Sequence, residues 1–103
     1  MFDSFPFERV TGARTSPELK LFRLSGCAFC EQAEGFLEQQ GFSYDRLVVD
    51  RLPLGERQAL RNSFHKELGL SLSFPALVVD GRSALVGFNR WDWEREILKG
   101  NDR

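Results

Sequence analysis

Sulfur and imidazole are scarce in this chain of 103 residues, which holds two cysteines, one methionine and one histidine. A structural zinc site usually takes four ligands. Cys27, Cys30, His65 and the thioether of Met1 make a poor set, so no metal site is expected. The two cysteines are also too close to staple a fold, because so small a ring removes little chain entropy. Net charge is lacking as well: 14 Lys and Arg against 15 Asp and Glu leave a formal charge of -1. Strong non-specific nucleic-acid binding needs a basic footprint, and the net charge supplies none, though a local basic patch stays open. No apolar run approaches the ~18 residues of a membrane helix. Residues 1–17 carry Asp3, Glu8, Arg9 and Arg14 where a secretory signal would need an apolar stretch. Internal repeats, low-complexity tracts and internal linkers are absent. Neither a nucleic-acid nor a membrane partner is expected.

What is present suits a single domain. A composition of 42% hydrophobic and 28% charged residues is an ordinary globular mix. A chain of this length buries roughly 60–70% of its unfolded surface. Residues 1–17 have no clear period and read as an N-terminal tail, with residues 18–103 as the domain. The other reading of the tail docks Phe2, Phe5 and Phe7 on that domain.

The run 19–24 is mostly apolar and reads as a buried strand, broken by Ser25-Gly26. From Cys27 to Gln40 the period turns helical, with Ala33, Phe36, Leu37 and Gln40 on one stripe. Gly41 sits where a helix end favours a left-handed residue. Phe42, Tyr44, Leu47 and Val49 mark a second strand, ended by Pro53. Glu56 to Leu68 predicts a second helix, with Leu60, Phe64 and Leu68 one turn apart, closed by Gly69. Ala76-Leu77-Val78-Val79 and Ser83 to Val86 flank Asp80-Gly81, a strong hairpin signal. Asn89 is a candidate N-cap for a last helix. In that helix Trp93 and Ile97 face the core, Trp91 points elsewhere, and Gly100 is the stop. The order β-α-β-α-β-β-α predicts an α/β domain: a four-stranded mixed sheet flanked by three helices on its two faces.

The chemistry gathers at the first strand–helix junction. Cys27 falls at or just before a helix N-terminus, where unpaired N–H groups and the macrodipole stabilise a thiolate. Cys30 lies one turn later and further inside, placed to attack a mixed disulfide formed on Cys27. His65 and the arginines 51, 57 and 61 read as solvated surface. Arg23, the nearest cation in sequence, either supports the thiolate, binds a substrate carboxylate or is plain surface. Phe29 flanks the turn. Pro75 opens a strand, and a cis peptide after Phe74 would present backbone beside Cys27 to a peptide-like substrate.

Three segments together resemble the glutaredoxins, within the thioredoxin-like superfamily: Leu21 to Cys30, Ser73-Phe74-Pro75, and Val86-Gly87-Phe88. The likeness spans roughly residues 19–99. It implies a thioredoxin-like fold, Cys27 as nucleophile, Cys30 as resolving thiol and a cis Pro75. It also implies a cytoplasmic thiol–disulfide oxidoreductase, expected as a monomer. No tightly bound cofactor is implied, and glutathione is a possible co-substrate. Substrate contacts then fall on Arg23, Phe29, Phe74, Pro75, Gly87, Phe88 and Asn89. Ala28-Phe29 replaces the family's usual Pro-Tyr. Val86-Gly87 followed by Phe88-Asn89 replaces the Gly-Gly and Asp that hold glutathione in family members. Two further readings follow. One is a glutathione-independent redoxin, reduced by a thioredoxin-reductase-type or ferredoxin-linked protein. The other, weaker, is an iron–sulfur module holding its cluster through Cys27.

Overall fold

The computed structural model describes residues 2–98. Among these, five strands build one sheet: β1 (Glu8–Val10), β2 (Leu19–Arg23), β3 (Tyr44–Val48), β4 (Ala76–Val79) and β5 (Ser83–Val86). Three α-helices cover it: α1 (Ala28–Gln39), α2 (Leu54–Leu68) and α3 (Arg90–Leu98). The strand order is β1-β3-β2-β4-β5. β2 and β3 run parallel, joined through α1, while every other neighbouring pair is antiparallel. The expected Gly100 stop lies outside the described residues.

Alternation along the strands assigns the two faces. Leu19, Leu21 and Tyr44 pack under α1 and α3 with Ala33, Phe36, Leu37, Trp93 and Ile97. Phe22, Leu47, Ala76 and Val78 pack under α2 with Leu60 and Phe64. The central strand β2 is therefore buried on both sides, as its nearly continuous apolar run requires. Turn chemistry holds as well. Asp80 and Gly81 both take positive φ, 54° and 65°, as the tight hairpin turn needs. Asn89 Oδ1 accepts the Asp92 N–H at 3.2 Å and caps α3.

The sheet has five strands where the sequence pattern predicts four, and the fifth comes from residues expected to be a tail. Three exposed-to-half-buried residues, Glu8, Arg9 and Val10, give no readable alternation. Pairing supplies the strand: they lie antiparallel to Arg46, Asp45 and Tyr44. The segment is also held by its phenylalanines, as in the docking alternative. Phe2 is buried, with its ring edge-on to Phe22 at 5.2 Å, and Phe7 meets the same ring at 5.6 Å. Beyond β1 the chain is clasped to the α1–β3 turn. The Gly12 N–H donates to Ser43 Oγ and the Ser43 hydroxyl donates to Gly12 O, both at 2.8 Å. A Cβ on Gly12 would lie 2.5 Å from Gly41 O, so only glycine allows this approach.

Candidate functional site

The two cysteines sit where the sequence places them, at the carboxyl end of β2. Cys27 is the N-cap of α1, in extended backbone (φ -104°, ψ 114°). Its sulfur accepts the Cys30 N–H at 3.2 Å, one of the amide donors that a helix start leaves unpaired. Cys27 is half-exposed and Cys30 is buried; both are free thiols. Burial, then the hydrogen bond with Cys27, pushes the Cys30 thiol up to about 11 from an ordinary 9.0. The result is an accessible sulfur in front and a protonated one behind it, a turn apart.

The loop between β2 and α1 is anchored from β3. After β3 the chain makes a short 3-10 turn, Val49–Arg51. Its Asp50 carboxylate accepts the Ser25 N–H at 3.0 Å and also the Ser25 hydroxyl. These bonds hold the Asp50 carboxyl below the usual range. Beside the loop lies a cleft of about 300 Å³, lined by the cations Arg23, Arg46 and Arg51, the carboxylates Glu8 and Glu31, and the uncharged Ser25 and Gly26.

Register carries Pro75 and Gly87 to the same end of the sheet. Phe22 pairs with Ala76, and Ala76 pairs with Val86, so the next residues in line are Arg23, Pro75 and Gly87. The Phe74–Pro75 bond is cis, as expected, and Ser16–Pro17 is cis too. Gly87 takes φ 82°, and its N–H donates to Pro75 O at 2.7 Å. Phe74 is half-buried, with the Arg61 guanidinium 5.7 Å from its ring centre. Phe29, between the cysteines, is 63% exposed.

Other predicted site residues have their side chains committed to the fold. The Phe88 ring packs edge-on to Trp93 at 5.0 Å and touches Phe36. Asn89 spends its side-chain oxygen on the α3 cap. Arg23 is not plain surface: it is buried, with Nε donating to Leu24 O at 3.1 Å and the fork shared by Glu31 and Glu34. His65 is exposed on α2, as read from the sequence, and Trp91, off the core-facing stripe of α3, is 75% exposed. Among the described residues, no group of three or more His, Cys, Asp and Glu is placed to hold a metal. No helix among them is long and apolar enough to cross a membrane.

A buried polar cluster under α1 escaped the sequence reading. Glu34 is buried and is held by Tyr44, Arg23 and Arg46. Burial would raise its carboxyl, but the hydrogen bonds from Tyr44 and Arg23 and the Arg46 charge outweigh that and keep it low. Burial and the Glu34 carboxylate raise the Tyr44 hydroxyl in turn. The available signal was a glutamate on the buried stripe of α1, four residues after Cys30. A charged residue at such a position implies a buried partner.

Comparison with known proteins agrees with this geometry. The family model for Glutaredoxin matches residues 19–84, which span β2 through the first half of β5 and include both cysteines and Pro75. No curated protein matches the chain. Among solved structures, the glutaredoxin of Methanosarcina mazei Go1 is similar at 25% identity, with a TM-score of 0.74, covering 86% of this chain and 84% of that one. The glutaredoxin of Archaeoglobus fulgidus is similar at 25% identity and TM-score 0.67, covering 82% and 89%. Methanosarcina acetivorans methanoredoxin shares the fold at 22% identity and TM-score 0.74, covering 89% and 94%. With the fold, the paired cysteines and a family match over well over half its length, this chain belongs to the glutaredoxin family.

Proposed function

We propose that the chain is a dithiol–disulfide oxidoreductase acting through Cys27 and Cys30. One observation carries the reading: a half-exposed Cys27 caps α1 and receives the Cys30 N–H, while the Cys30 thiol is buried one turn behind. The Cys27 thiolate attacks one sulfur of a substrate disulfide. A Cys27–substrate disulfide forms, and one substrate sulfur leaves as thiolate. Cys30 then loses its proton and attacks the Cys27 sulfur. The Cys27–Cys30 disulfide forms and the second substrate sulfur leaves, so the substrate gains two electrons and the protein pair loses them. The Cys27 charge helps to hold Cys30 protonated before substrate arrives. Once Cys27 is bonded to substrate that charge is gone, and the resolving step becomes easier. Phe29, Phe74, Pro75 and Gly87 form the surface a disulfide-bearing protein meets.

Reduction of the oxidised pair then falls to glutathione or to a protein disulfide reductase. The second donor is favoured by the commitment of Arg23 to Glu31 and Glu34 and of the Asn89 oxygen to its cap. These two residues are the ones that would have replaced the missing glutathione-holding groups. The experiment compares turnover of the oxidised protein with glutathione plus glutathione reductase and with NADPH plus thioredoxin reductase. Turnover only with the protein reductase supports the glutathione-independent redoxin, and rapid turnover with glutathione overturns it. Cys27→Ser abolishes disulfide reductase activity in either system. Cys30→Ser keeps a nucleophile without a resolver and retains activity only on glutathionylated substrates. Full activity in Cys27→Ser sinks the mechanism.

A further inference from the structure

The cluster under α1 touches the redox turn from the buried side, and the mechanism above makes no use of it. Cys30 and Glu34 are four residues apart on one face of α1. The Arg23 guanidinium lies against that face, one fork nitrogen on Glu34 and the other 2.9 Å from Glu31. Its Nε donates to Leu24 O, in the loop that leads from β2 to the two cysteines. A buried cation thus stands next to the dithiol, with two carboxylates from the same helix on it. From β3, Arg46 Nη1 reaches Glu34 at 2.9 Å and Tyr44 donates to Glu34. From β1, Glu8 lies 3.6 Å from Arg46 Nε. The order of charge from the edge strand inward is minus, plus, minus, plus.

We propose that Glu34, with Glu31 in support, is a positioning residue that sets how much of the Arg23 charge the Cys27–Cys30 pair feels, and so sets its reduction potential. The inference rests on the dithiol reading above. Physically, the reduced pair holds negative charge on sulfur and the disulfide holds none. A cation nearby stabilises the reduced form, and a carboxylate bound to that cation cancels part of the effect. The Arg23 charge acts on Cys30 in this sense, favouring its thiolate against the larger effect of burial. Inside the protein, where water screens poorly, removing one carboxylate from the guanidinium unbalances a whole charge.

The test equilibrates each protein with mixtures of reduced and oxidised dithiothreitol at pH 7 and traps free thiols with a maleimide. Glu34→Gln keeps the shape and the acceptor oxygen but loses the charge. Its equilibrium shifts toward the dithiol by about tenfold, equivalent to about 30 mV. Glu31→Gln shifts the same way by about twofold to threefold, and its exposed site keeps folding out of the question. Arg23→Met shifts the other way, and Arg23→Lys restores the wild-type value. A purely structural role moves stability, not opposite signs of redox equilibrium. Glu34→Gln and Arg23→Met shifting together, or Glu31→Gln and Glu34→Gln both within experimental error of wild type, overturns the proposal. If Glu34→Gln fails to fold, Glu31→Gln decides alone. A wild-type pair that forms no disulfide at any ratio defeats the dithiol reading itself, and this inference with it.

Discussion

The two faces of the sheet solve the same packing problem with different chemistry. Under α2 the filling is hydrocarbon and aromatic rings: Phe22 stands edge-on to Phe2, Phe7 and Phe64 at 5.2, 5.6 and 5.7 Å. Under α1 the filling starts the same way, with Leu19 and Leu21, and then changes. Two residues on from Leu21, the same face of β2 carries Arg23. On β3 the same face passes from Tyr44 to Arg46. Glu34 from α1 closes over both arginines. The change occurs toward the carboxyl ends of β2 and β3, next to the cysteines. An all-apolar face gains stability from area alone. A buried ion cluster contributes little net stability against its desolvation cost but fixes one arrangement of charges, and losing a member is costly. The functional end of the sheet has the second kind of filling.

Substitutions on each face sharpen the contrast. Phe64→Ala removes a ring from the centre of the α2 face and destabilises the protein by about 3–5 kcal/mol in urea unfolding, with the redox equilibrium of the surviving fold unchanged. Glu34→Ala leaves buried Arg23 and half-buried Arg46 short of a carboxylate and costs about 3 kcal/mol by the same measure. Unlike the ring deletion, it also moves the redox equilibrium. An apolar face unaffected by Glu34→Ala in hydrogen exchange would support the independence of the two fillings.

Acid distinguishes the faces without mutation. The Glu34 carboxyl lies below its ordinary 4.5 in the fold. Between 4.5 and that lower value the unfolded chain holds a proton that the folded chain does not. Stability from this group is therefore complete above 4.5 and is lost as the pH falls through the folded value. Glu34→Gln flattens that part of the acid-unfolding curve, and Phe64→Ala lowers the curve without changing its slope. The smallest effect is expected off both faces. Trp91 is 75% exposed, and Trp91→Ala changes stability by less than about 0.5 kcal/mol. A larger loss would show that the ring is packed in solution and not solvated.

Legibility in the sequence follows the same division. The α2 face and the hairpin were readable because apolar spacing and turn residues act locally. Leu60 and Phe64 one turn apart, Gly69 at φ 73° and Asp80-Gly81 all behave as their residue types dictate. Cys27 and Pro75 were readable because strand, turn and helix signals converge on them. The Arg23–Glu34–Arg46 cluster was not: Glu34 on the buried stripe of α1 was a signal, but its partners come from two other elements and each arginine alone resembles a surface charge. Phe88 and Asn89 also have local roles, core packing and helix capping, of which only the cap was legible in the sequence. β1 was missed for a related reason. A three-residue strand bearing Glu8 and Arg9 has no period of its own, and the partner strand creates it.

That short strand bears on how copies of the protein meet one another in concentrated solution. Without it, β3 would present a free row of backbone donors and acceptors to any passing extended chain. With it, the outermost strand on that side offers three residues, two of them exposed and of opposite charge. An incoming strand would gain few backbone hydrogen bonds there and would have to strip water from ionised groups to make them. Phe29, between the two cysteines, stays open. The β1 edge is a poor template for stacking because of the same residues that tie the first part of the chain to the sheet.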